Sequence, residues 1–459
     1  MLKAVLDIGK THIKLLLVDN GKECASFSCK NAPIAGMYPQ ADVEGIWNWL
    51  AETLRSCTLT PDINAFVVTT HGATAALVNT NAPEGDQLAL PVLDYEFQGV
   101  ESCSDAYESV HPDFSETLSP ALPAGLNLGK QLFWLQQKYK EAFDSASTIL
   151  LYPQYWAWRL GGLPAAEVTS LGCHTDMWQP QKKDYSSLID KCGWREKMPA
   201  LKNAWDCLGT VSAQVAKETG LSEQCEIFAG IHDSNASLLR YLSLAKSGES
   251  FNVISTGTWT ILMQANGNTG KLASYKDTLA NVDIFSNPVS CARFMGGREY
   301  ESICTSLGGN IRMSAEAGDI QQALDEGWMV TPDYSQGNGP FGGLTAKQLC
   351  PDAPPAPQAI ATLYCALMID QRLTDLHSTG TIYIEGAFLK NPMLCQLVAQ
   401  LRPDQTVMLS RDNTGTVMGA ASLIHFDKQA AAELDLVPCE PAAFDKLEAY
   451  REKWYKSIG

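Results

Sequence analysis

Hydrophobic residues follow two patterns along the chain, short aliphatic runs and runs with helical spacing. The short runs, typical of buried strands, cover residues 4–8, 13–18, 65–70, 227–229, 251–255, 259–263, 381–385 and 407–409. Helical spacing occupies residues 42–54, 126–143, 212–220, 233–242, 360–376, 391–401 and the charged tail 429–455. A strand, a helix and another strand between residues 381 and 409 predict a βαβ unit. The pattern therefore predicts an α/β protein.

The first two strands are predicted to enclose a polar turn, Gly9-Lys10-Thr11. Asp7 is unusual in its apolar run, because a buried carboxylate loses hydration unless a cation or hydrogen-bond donors face it. One interpretation is a phosphate-binding hairpin, in which Lys10, Thr11 and backbone N–H groups hold an anion while Asp7 faces its metal ion. The other is a surface hairpin in which Asp7 pairs with Lys14.

The same order of strand, small-residue turn and strand returns in the second half of the chain. Residues 251–263 place a Thr-Gly-Thr turn, 256–258, between two apolar runs. Between the two hairpins, a strand ends at Gly230 and Asp233 opens a helix. Three similar polar features at strand ends form a more specific signal than any one of them.

Composition restricts the class of partner. The 459 residues suffice for at least two cores, and the formal charge of −17 disfavours nucleic acid or an anionic membrane as a partner. The cysteines form no C-x-x-C pair, so we expect reduced thiols and no zinc site. No run has the length and apolarity of a membrane span, and Asp7 interrupts the candidate signal sequence. We expect a cytoplasmic monomer or homodimer that acts on a small molecule.

These features together resemble the FGGY carbohydrate kinases, of the superfamily that also contains actin and Hsp70. The likeness runs through nearly the whole chain. Its motifs are the first phosphate motif 7–11 with Lys14, the catalytic motif 230–236, the second phosphate motif 255–259 and the adenosine motif 385–396. The resemblance implies two actin-like, ribonuclease H-like α/β domains, residues 1–244 and 245–459, with ATP in the cleft between them.

The resemblance also implies roles for single residues. Asp233 would be the general base that takes the proton of the acceptor hydroxyl, with a helix N-cap as its alternative role. Asp7 would orient Mg²⁺, directly or through water. The implied nucleotide-binding residues are Asp7, Gly9, Lys10, Thr11, Lys14, Thr256, Gly257, Thr258, Gly386, Ala387 and Asn391. For Asn391, a helix cap remains an alternative of equal weight.

Sugar recognition is expected at strand ends in the first half of the chain. In the family, the segment His71-Gly72-Ala73-Thr74 and the aspartate after a proline-led segment contact the sugar, which implies that His71 and Asp94 bind substrate together with Asp233. Carboxylates and an imidazole suit the vicinal hydroxyls of a sugar. Glu96 has no such support and is expected to be a solvated loop carboxylate.

Some residues depart from the family pattern. Lys10 replaces the usual Thr or Ser, and Gln131 replaces a Lys. Ala387 occupies a position where the family often has a second Gly, and Thr414 occupies a position where Glu is frequent. Subfamily signals also conflict, because the catalytic motif resembles rhamnulokinases whereas residues 71–74 resemble xylulokinases. The expected reaction is transfer of the γ-phosphate of ATP to a hydroxyl of a ketose, a pentulose or a 6-deoxyhexulose.

Two alternatives stay open. A kinase of glycerol, another polyol or an aldose keeps the fold and changes the acceptor. A module of another class would use ATP to bind a protein partner, as actin-like and Hsp70-like proteins do, without phosphorylating a sugar. The combination of Asp233, His71 and Asp94 disfavours the second alternative, because such a switch needs no sugar-facing polar groups.

Overall fold

The structure is a computed structural model that describes residues 1–83, 85, 87–244, 248–335, 337–411, 415–426 and 434–458. Within these residues the chain forms two units. The first unit comprises 1–243, 280–288 and 414–432, and the second comprises 244–279, 289–413 and 433–459. The expected domain boundary near residue 245 lies outside the described residues, as does Thr414. The division into residues 1–244 and 245–459 stays a prediction.

The strands are, in chain order, β1 Leu2–Ile8, β2 His12–Asp19, β3 Lys22–Lys30, β4 Ile63–Thr70, β5 Ala75–Val78, β6 Thr148–Leu151, β7 Ala166–Glu167, β8 Trp178–Gln179, β9 Asp184–Tyr185, β10 Leu201–Lys202, β11 Cys207–Thr210, β12 Glu226–Phe228, β13 Ile231–His232, β14 Phe251–Thr256, β15 Thr260–Ala265, β16 Thr278–Val282, β17 Pro288–Phe294, β18 Met329–Thr331, β19 Lys347–Leu349, β20 Thr381–Gly386, β21 Val407–Ser410 and β22 Leu436–Pro438.

The α-helices are α1 Val43–Ser56, α2 Ser104–Glu108, α3 Phe114–Thr117, α4 Leu128–Lys138, α5 Lys140–Ser145, α6 Tyr152–Arg159, α7 Val168–Leu171, α8 Ser187–Lys191, α9 Ala213–Thr219, α10 Asp233–Leu242, α11 Gly296–Ser306, α12 Ala317–Glu326, α13 Pro357–Asp375, α14 Pro392–Leu401, α15 Gly415–Ala421 and α16 Leu447–Ile458. Among the described helices, none has the length and apolarity needed to span a membrane.

The main sheet of the first unit has the strand order β11-β12-β4-β1-β2-β3, and β13 also pairs with β4. Strands β1, β2 and β3 form an antiparallel meander. β4 runs parallel to β1 and β12. The predicted opening hairpin is therefore the centre of a mixed sheet, and its register places Asp7 opposite Lys14 on β2 and Thr69 on β4.

The sheet of the second unit repeats this plan. Its strands follow the order β17-β15-β14-β20-β21-β22, while β16 crosses the division between the units. β14, β15 and β17 are antiparallel, and β20 and β21 continue the sheet in parallel with β14. A meander followed by parallel strands in both units confirms the predicted actin-like, ribonuclease H-like α/β fold class.

Side chains alternate between the two faces of the first sheet, because successive residues of a strand point in opposite directions. Leu6 lies in the core that α1, α6 and α9 cover, together with residues such as Trp156. Val5 lies in the opposite core, where α10 and α15 pack with Ala236 and Ala420. This alternation places Asp7 on the α10 face of the sheet.

Three elements differ from the expected ones. The helix predicted for 126–143 is interrupted at Tyr139, which has non-helical dihedral angles between α4 and α5. The proline-led segment 91–96, expected to bring Asp94 to a strand end, forms no strand and contributes one isolated bridge through Leu93. The tail was predicted to be wholly helical, but Leu436–Pro438 pairs with β21 before α16 begins. Tertiary pairing overrides local pattern at this strand.

Leu6 is fully buried on β1, so it tests the core on which the opening hairpin depends. Leu6→Ala should lower the free energy of unfolding by about 2–5 kcal/mol, because it removes buried methyl groups and leaves a cavity. Leu6→Met keeps the volume and should cost less than about 1.5 kcal/mol. Urea unfolding followed by circular dichroism measures both. Equal losses for the two variants would contradict this account of the core.

Candidate active site

The predicted base lies at the start of α10, on the same face of the first sheet as Asp7. Burial and, to a smaller extent, the nearby Asp233 carboxylate raise the pKa of Asp7, to about 7 after the opposing effect of Lys14. Burial also raises the pKa of Asp233. Asp233 therefore lies close enough to Asp7 to disfavour the charge of Asp7, and the attraction of Lys14 does not compensate for the burial of Asp7.

Asp233 is the first residue of α10, and His232 occupies the N-cap position. The Asp233 carboxylate accepts hydrogen bonds from the backbone N–H and hydroxyl of Ser234, at 2.6 and 3.2 Å. A capping side chain would instead bind an N–H two or three residues ahead. The geometry therefore does not show the N-cap that was the alternative role of Asp233.

His232 lies beside the predicted base. Its Nε2 lies 3.1 Å from Asp233 Oδ1, and its Nδ1 lies 3.1 Å from the amide nitrogen of Asn235. Burial lowers the pKa of His232 to about 4, so the ring is neutral at physiological pH. In the neutral ring Nδ1 accepts the Asn235 amide N–H, so Nε2 carries the proton, and its hydrogen-bond partner is Cys173 Sγ at 3.5 Å. The imidazole thus lies beside the Asp233 carboxylate, and Asn235 and Cys173 fix its own orientation.

A second network, of hydrogen bonds from Thr169 and Glu167, holds the backbone at His232. The backbone N–H of His232 donates to Thr169 Oγ1 at 3.2 Å. The Thr169 hydroxyl donates in turn to Glu167 at 2.6 Å, and this carboxylate also accepts the N–H groups of Thr169 and Ser170. Glu167 is fully buried. The network fixes the backbone from which the Asp233 side chain projects.

His71 connects the base with the predicted sugar residues. Its Nδ1 lies 3.0 Å from the Gly72 carbonyl, and burial lowers its pKa. In the neutral ring Nδ1–H therefore donates to this carbonyl, and Nε2 is the acceptor nitrogen. The pKa of His71 is also influenced by the charges of Asp233, Lys10 and Asp94. The structure thus brings the three predicted substrate residues together.

The segment that carries His71 is held by a residue that departs from the family pattern. Gln131 is buried on α4, and its amide nitrogen donates to the Ala73 carbonyl at 2.6 Å and to the Gly125 carbonyl. The sequence identified Gln131 only as a departure. Its contact shows that it fastens the His71 segment to the neighbouring loop.

Lys10, in the hairpin turn, is paired with two acidic residues. Its ammonium lies 2.5 Å from Asp94 Oδ1 and 3.6 Å from Glu96 Oε2. Asp94 is buried, and its Oδ1 also accepts the backbone N–H of Glu96 at 2.8 Å. The sequence predicted Lys10 and Asp94 for different ligands, a phosphate and a sugar, but the structure pairs them.

The rest of the first phosphate motif forms a compact turn. The N–H of Gly9 donates to the His12 carbonyl at 3.0 Å, and the Asn31 amide donates to the Gly9 carbonyl at 2.7 Å. Thr11 and Lys14 have exposed side chains. The turn therefore presents a hydroxyl and an ammonium group while neighbouring residues fix its backbone.

In the second unit, Thr256 joins two motifs. Its hydroxyl donates to the Glu385 carbonyl at 2.6 Å and accepts the N–H of Phe388 at 2.9 Å. The second phosphate motif and the adenosine turn are therefore fastened to each other. The Gly257 N–H donates to the Trp259 carbonyl at 2.9 Å, so residues 256–259 close the second turn.

The adenosine motif has a glycine that its backbone requires and a capping asparagine. Gly386 has φ +88° and ψ −147°, a region that only glycine adopts readily, and Ala387 follows it in a short 3₁₀ turn. Asn391 accepts the Leu394 N–H at the start of α14 and donates to Thr362 Oγ1 at 2.8 Å. Both ends of its amide are thus engaged within the unit, as the capping alternative expects.

Some residues of this site carry little or no signal in the sequence. Glu167 acts through Thr169 on a distant segment, so its position along the chain reveals nothing. His232 and Asn235 lie inside the catalytic motif 230–236, but spacing does not reveal the hydrogen bond between them. The pairing of Lys10 with Asp94 depends on where the turn places one long side chain.

Carbohydrate kinases are among the solved structures that resemble this chain. One, a carbohydrate kinase from Novosphingobium aromaticivorans, is 33% identical, with 99% of this chain and 98% of that chain covered and a TM-score of 0.86. A ligand-bound xylulose kinase from Lactobacillus acidophilus has a TM-score of 0.80 over 100% and 96% of the two chains at 16% identity, which shows the fold alone. The fold is that of two-domain sugar kinases.

The chain belongs to the FGGY family of carbohydrate kinases. Residues 2–239 match the family's N-terminal domain and residues 248–433 its C-terminal domain. This match confirms the predicted family. L-fuculokinase of Salmonella typhi is 26% identical over 61% of this chain and 60% of its own length, and xylulose kinase of Bacillus subtilis is 23% identical over 50% and 47%. The matches thus span about half to three-fifths of these relatives.

The glycine at 386 gives a test of the adenosine turn. A Cβ there would lie 2.2 Å from the Thr256 carbonyl oxygen, so Gly386→Ala should displace the turn and weaken ATP binding. Gly248→Ala is the matched control, because Gly248 has a similar φ of +81° with no atom within 4 Å of its added Cβ. The control should cost about 1–2 kcal/mol through φ alone and leave ATP affinity unchanged. Thermal unfolding and titration calorimetry measure both. Equal effects would remove the close contact as the cause.

Proposed function

We propose that the protein transfers the γ-phosphate of ATP to a hydroxyl of a ketose, with Asp233 as the general base. The observation that carries this proposal is the grouping of Asp233 with His71 and Asp94 in one unit. A carboxylate beside groups suited to sugar hydroxyls is what sugar phosphorylation requires. The alternative of an ATP-driven binding module gives no reason for this grouping.

The acceptor proposed is a pentulose or a 6-deoxyhexulose. Relatives named L-fuculokinase and xylulose kinase support this class. A buried carboxylate at Asp94 and an acceptor nitrogen on His71 suit the vicinal hydroxyls of a ketose. Glycerol, another polyol or an aldose would contact fewer of these side chains or contact them at other spacings. A substrate screen therefore distinguishes these acceptors from a ketose.

Asp233 has the surroundings of a base. The acceptor oxygen attacks the γ-phosphorus while its proton passes to the Asp233 carboxylate, and ADP leaves with the cleaved bond's electrons. The backbone N–H and the hydroxyl of Ser234 donate to this carboxylate and therefore hold it in one orientation. Burial raises its pKa, which makes it a better proton acceptor than an ordinary aspartate once it is ionised.

The nucleotide-binding roles follow from the same arrangement, unit by unit. In the first unit, Thr11 and Lys14 are proposed to bind phosphate oxygens beside the Gly9 turn. In the second unit, the proposed phosphate contacts are Thr256, Gly257 and Thr258, although the Thr256 hydroxyl already bonds to the adenosine turn. Gly386 and Ala387 are proposed to let adenosine approach the backbone, whereas the amide of Asn391 is occupied as a cap.

Asp7 fits the role of a magnesium-binding residue. Its pKa is raised to about 7 by burial and by Asp233, so a nearby cation would favour its ionised form. Mg²⁺ binds few protein carboxylates and keeps several waters, so one aspartate beside phosphate oxygens is sufficient. When bound, Mg²⁺ would neutralise charge on the triphosphate. Asp7 would then orient it, directly or through water.

A coupled assay of ADP formation tests the proposed reaction. The purified chain is mixed with Mg·ATP and one member of a panel of ketoses, aldoses and polyols. A rate that rises sharply with a pentulose or a 6-deoxyhexulose supports the proposal. A preference for glycerol or an aldose would reassign the acceptor, and sugar-independent turnover would favour the ATP-driven module.

Asp233→Asn tests the base. Turnover should fall by a factor on the order of 10² to 10⁴, the usual contribution of a positioned base, while ATP binding is retained. Asp105→Asn, an exposed aspartate of α2, is the matched control and should behave as wild type. Steady-state kinetics and ATP titration check both quantities. Turnover within about threefold of wild type would remove Asp233 from this role.

His71→Ala and Asp94→Ala test the sugar side. Each should raise the KM for the acceptor more than the KM for ATP, because the groups removed bind acceptor hydroxyls. Initial rates with each substrate varied in turn separate the two effects. If only the KM for ATP changed, these residues would have to be assigned to the nucleotide instead.

A further inference from the structure

Lys10 makes three contacts with one short segment. Its ammonium lies 2.5 Å from Asp94, 3.6 Å from Glu96 and 4.5 Å from the centre of the Tyr95 ring. The Lys10 side chain is 24% exposed and that of Asp94 is 5% exposed, so the closest of these contacts is largely shielded from water. Contacts of this kind hold a long side chain in one orientation.

The same lysine lines a cavity with the predicted sugar residues. This cavity, of about 20 Å³, is formed among others by Lys10, His71, Thr74 and Asp94. Such a volume admits about one water molecule, or one hydroxyl of a ligand that displaces it. Lys10 is therefore placed where an acceptor hydroxyl would lie beside His71.

We propose that Lys10 belongs to the acceptor site, where it and Asp94 together bind neighbouring hydroxyls and favour a neutral sugar over a sugar acid. The inference rests on the function proposed above and adds a specificity residue to it. Lysine supplies N–H donors and aspartate supplies acceptor oxygens, and a pair of adjacent hydroxyls can satisfy both.

The charges around the pair explain the preference for a neutral acceptor. The ammonium of Lys10 faces Asp94 and Glu96, and Asp233 is close enough to affect the His71 between them. His71 is neutral, so one positive charge stands against three carboxylates. A carboxylate on the acceptor would meet net negative charge and would lose hydration without gaining an unshared cation.

Lys10→Met tests the proposal, because it keeps most of the side-chain length and removes the charge. The KM for the preferred ketose should rise at least about tenfold, whereas the KM for ATP should stay within about threefold. Lys22→Met removes another lysine from the same sheet, at an exposed position, and should leave both constants unchanged. Circular dichroism and thermal unfolding confirm that the variants are folded.

A double-mutant cycle with Asp94→Asn separates a shared role from two independent ones. If the pair acts together, the double variant should raise the acceptor KM by clearly less than the product of the two single effects. Multiplicative effects would contradict a joint role. A rise in the KM for ATP, with the acceptor KM unchanged, would overturn the proposal and return Lys10 to the phosphates.

Acceptor charge gives an independent test. Wild type should phosphorylate a neutral ketose with a kcat/KM at least about tenfold above that for a sugar acid of equal carbon number. Glu96→Gln, which removes one negative charge beside Lys10, should narrow this ratio. Equal use of the two acceptors by wild type would overturn the preference. Absence of any sugar-dependent ADP formation by wild type would instead refute the proposed function itself, before any variant is made.

Discussion

The structure of the candidate site depends on one constraint, the burial of carboxylates at one end of a sheet. Strand β1 alternates between two cores, and this alternation directs Asp7 toward the helix that begins with Asp233. Two like charges in a poorly hydrated place disfavour their own ionised forms. Hydrogen-bond donors and cations near the carboxylates offset this cost. The substrate and nucleotide groups proposed here would supply further partners for the carboxylates.

The carboxylates at that end of the sheet have separate hydrogen-bond partners. Asp233 accepts hydrogen bonds from Ser234, whereas Asp94 accepts hydrogen bonds from Lys10 and from the backbone N–H of Glu96. Each carboxylate therefore has donors of its own, and His71 stands between them as a neutral ring. This separation allows one aspartate to accept a proton while another stays a fixed hydrogen-bond acceptor, a division that proton transfer to a positioned base requires.

The fold was predictable from the sequence because its signals are local. Apolar runs flanking glycine turns identify β1, β2, β14 and β15, and the cap and proline at Asn391-Pro392 identify α14. The exceptions are elements defined by distant partners. Strand β22 exists through its pairing with β21, and the interruption at Tyr139 follows from packing that spacing alone does not encode.

The site was predictable only in part, for the same reason. His71 could be selected because strand ends in α/β folds carry ligands, Asp7 because a carboxylate is unusual in an apolar run, and Asp94 through the family resemblance. Their neighbours could not, because the direction of a long side chain is set by the whole fold. Lys10 is the clearest case: the turn implied a phosphate contact, but the side chain meets Asp94.

The ionisation of Asp7 links this site to the stability of the fold. Its pKa is raised in the folded chain, to about 7, so the proton is held more tightly there than in the unfolded chain. The stabilising contribution of the protonated form is complete below the ordinary aspartate pKa and is lost as pH rises through about 7. The ionised form that a cation would bind is thus the form that the surroundings of Asp7 disfavour. A ligand that neutralises this charge would therefore stabilise the protein most above pH 7, where the unliganded site is least favourable.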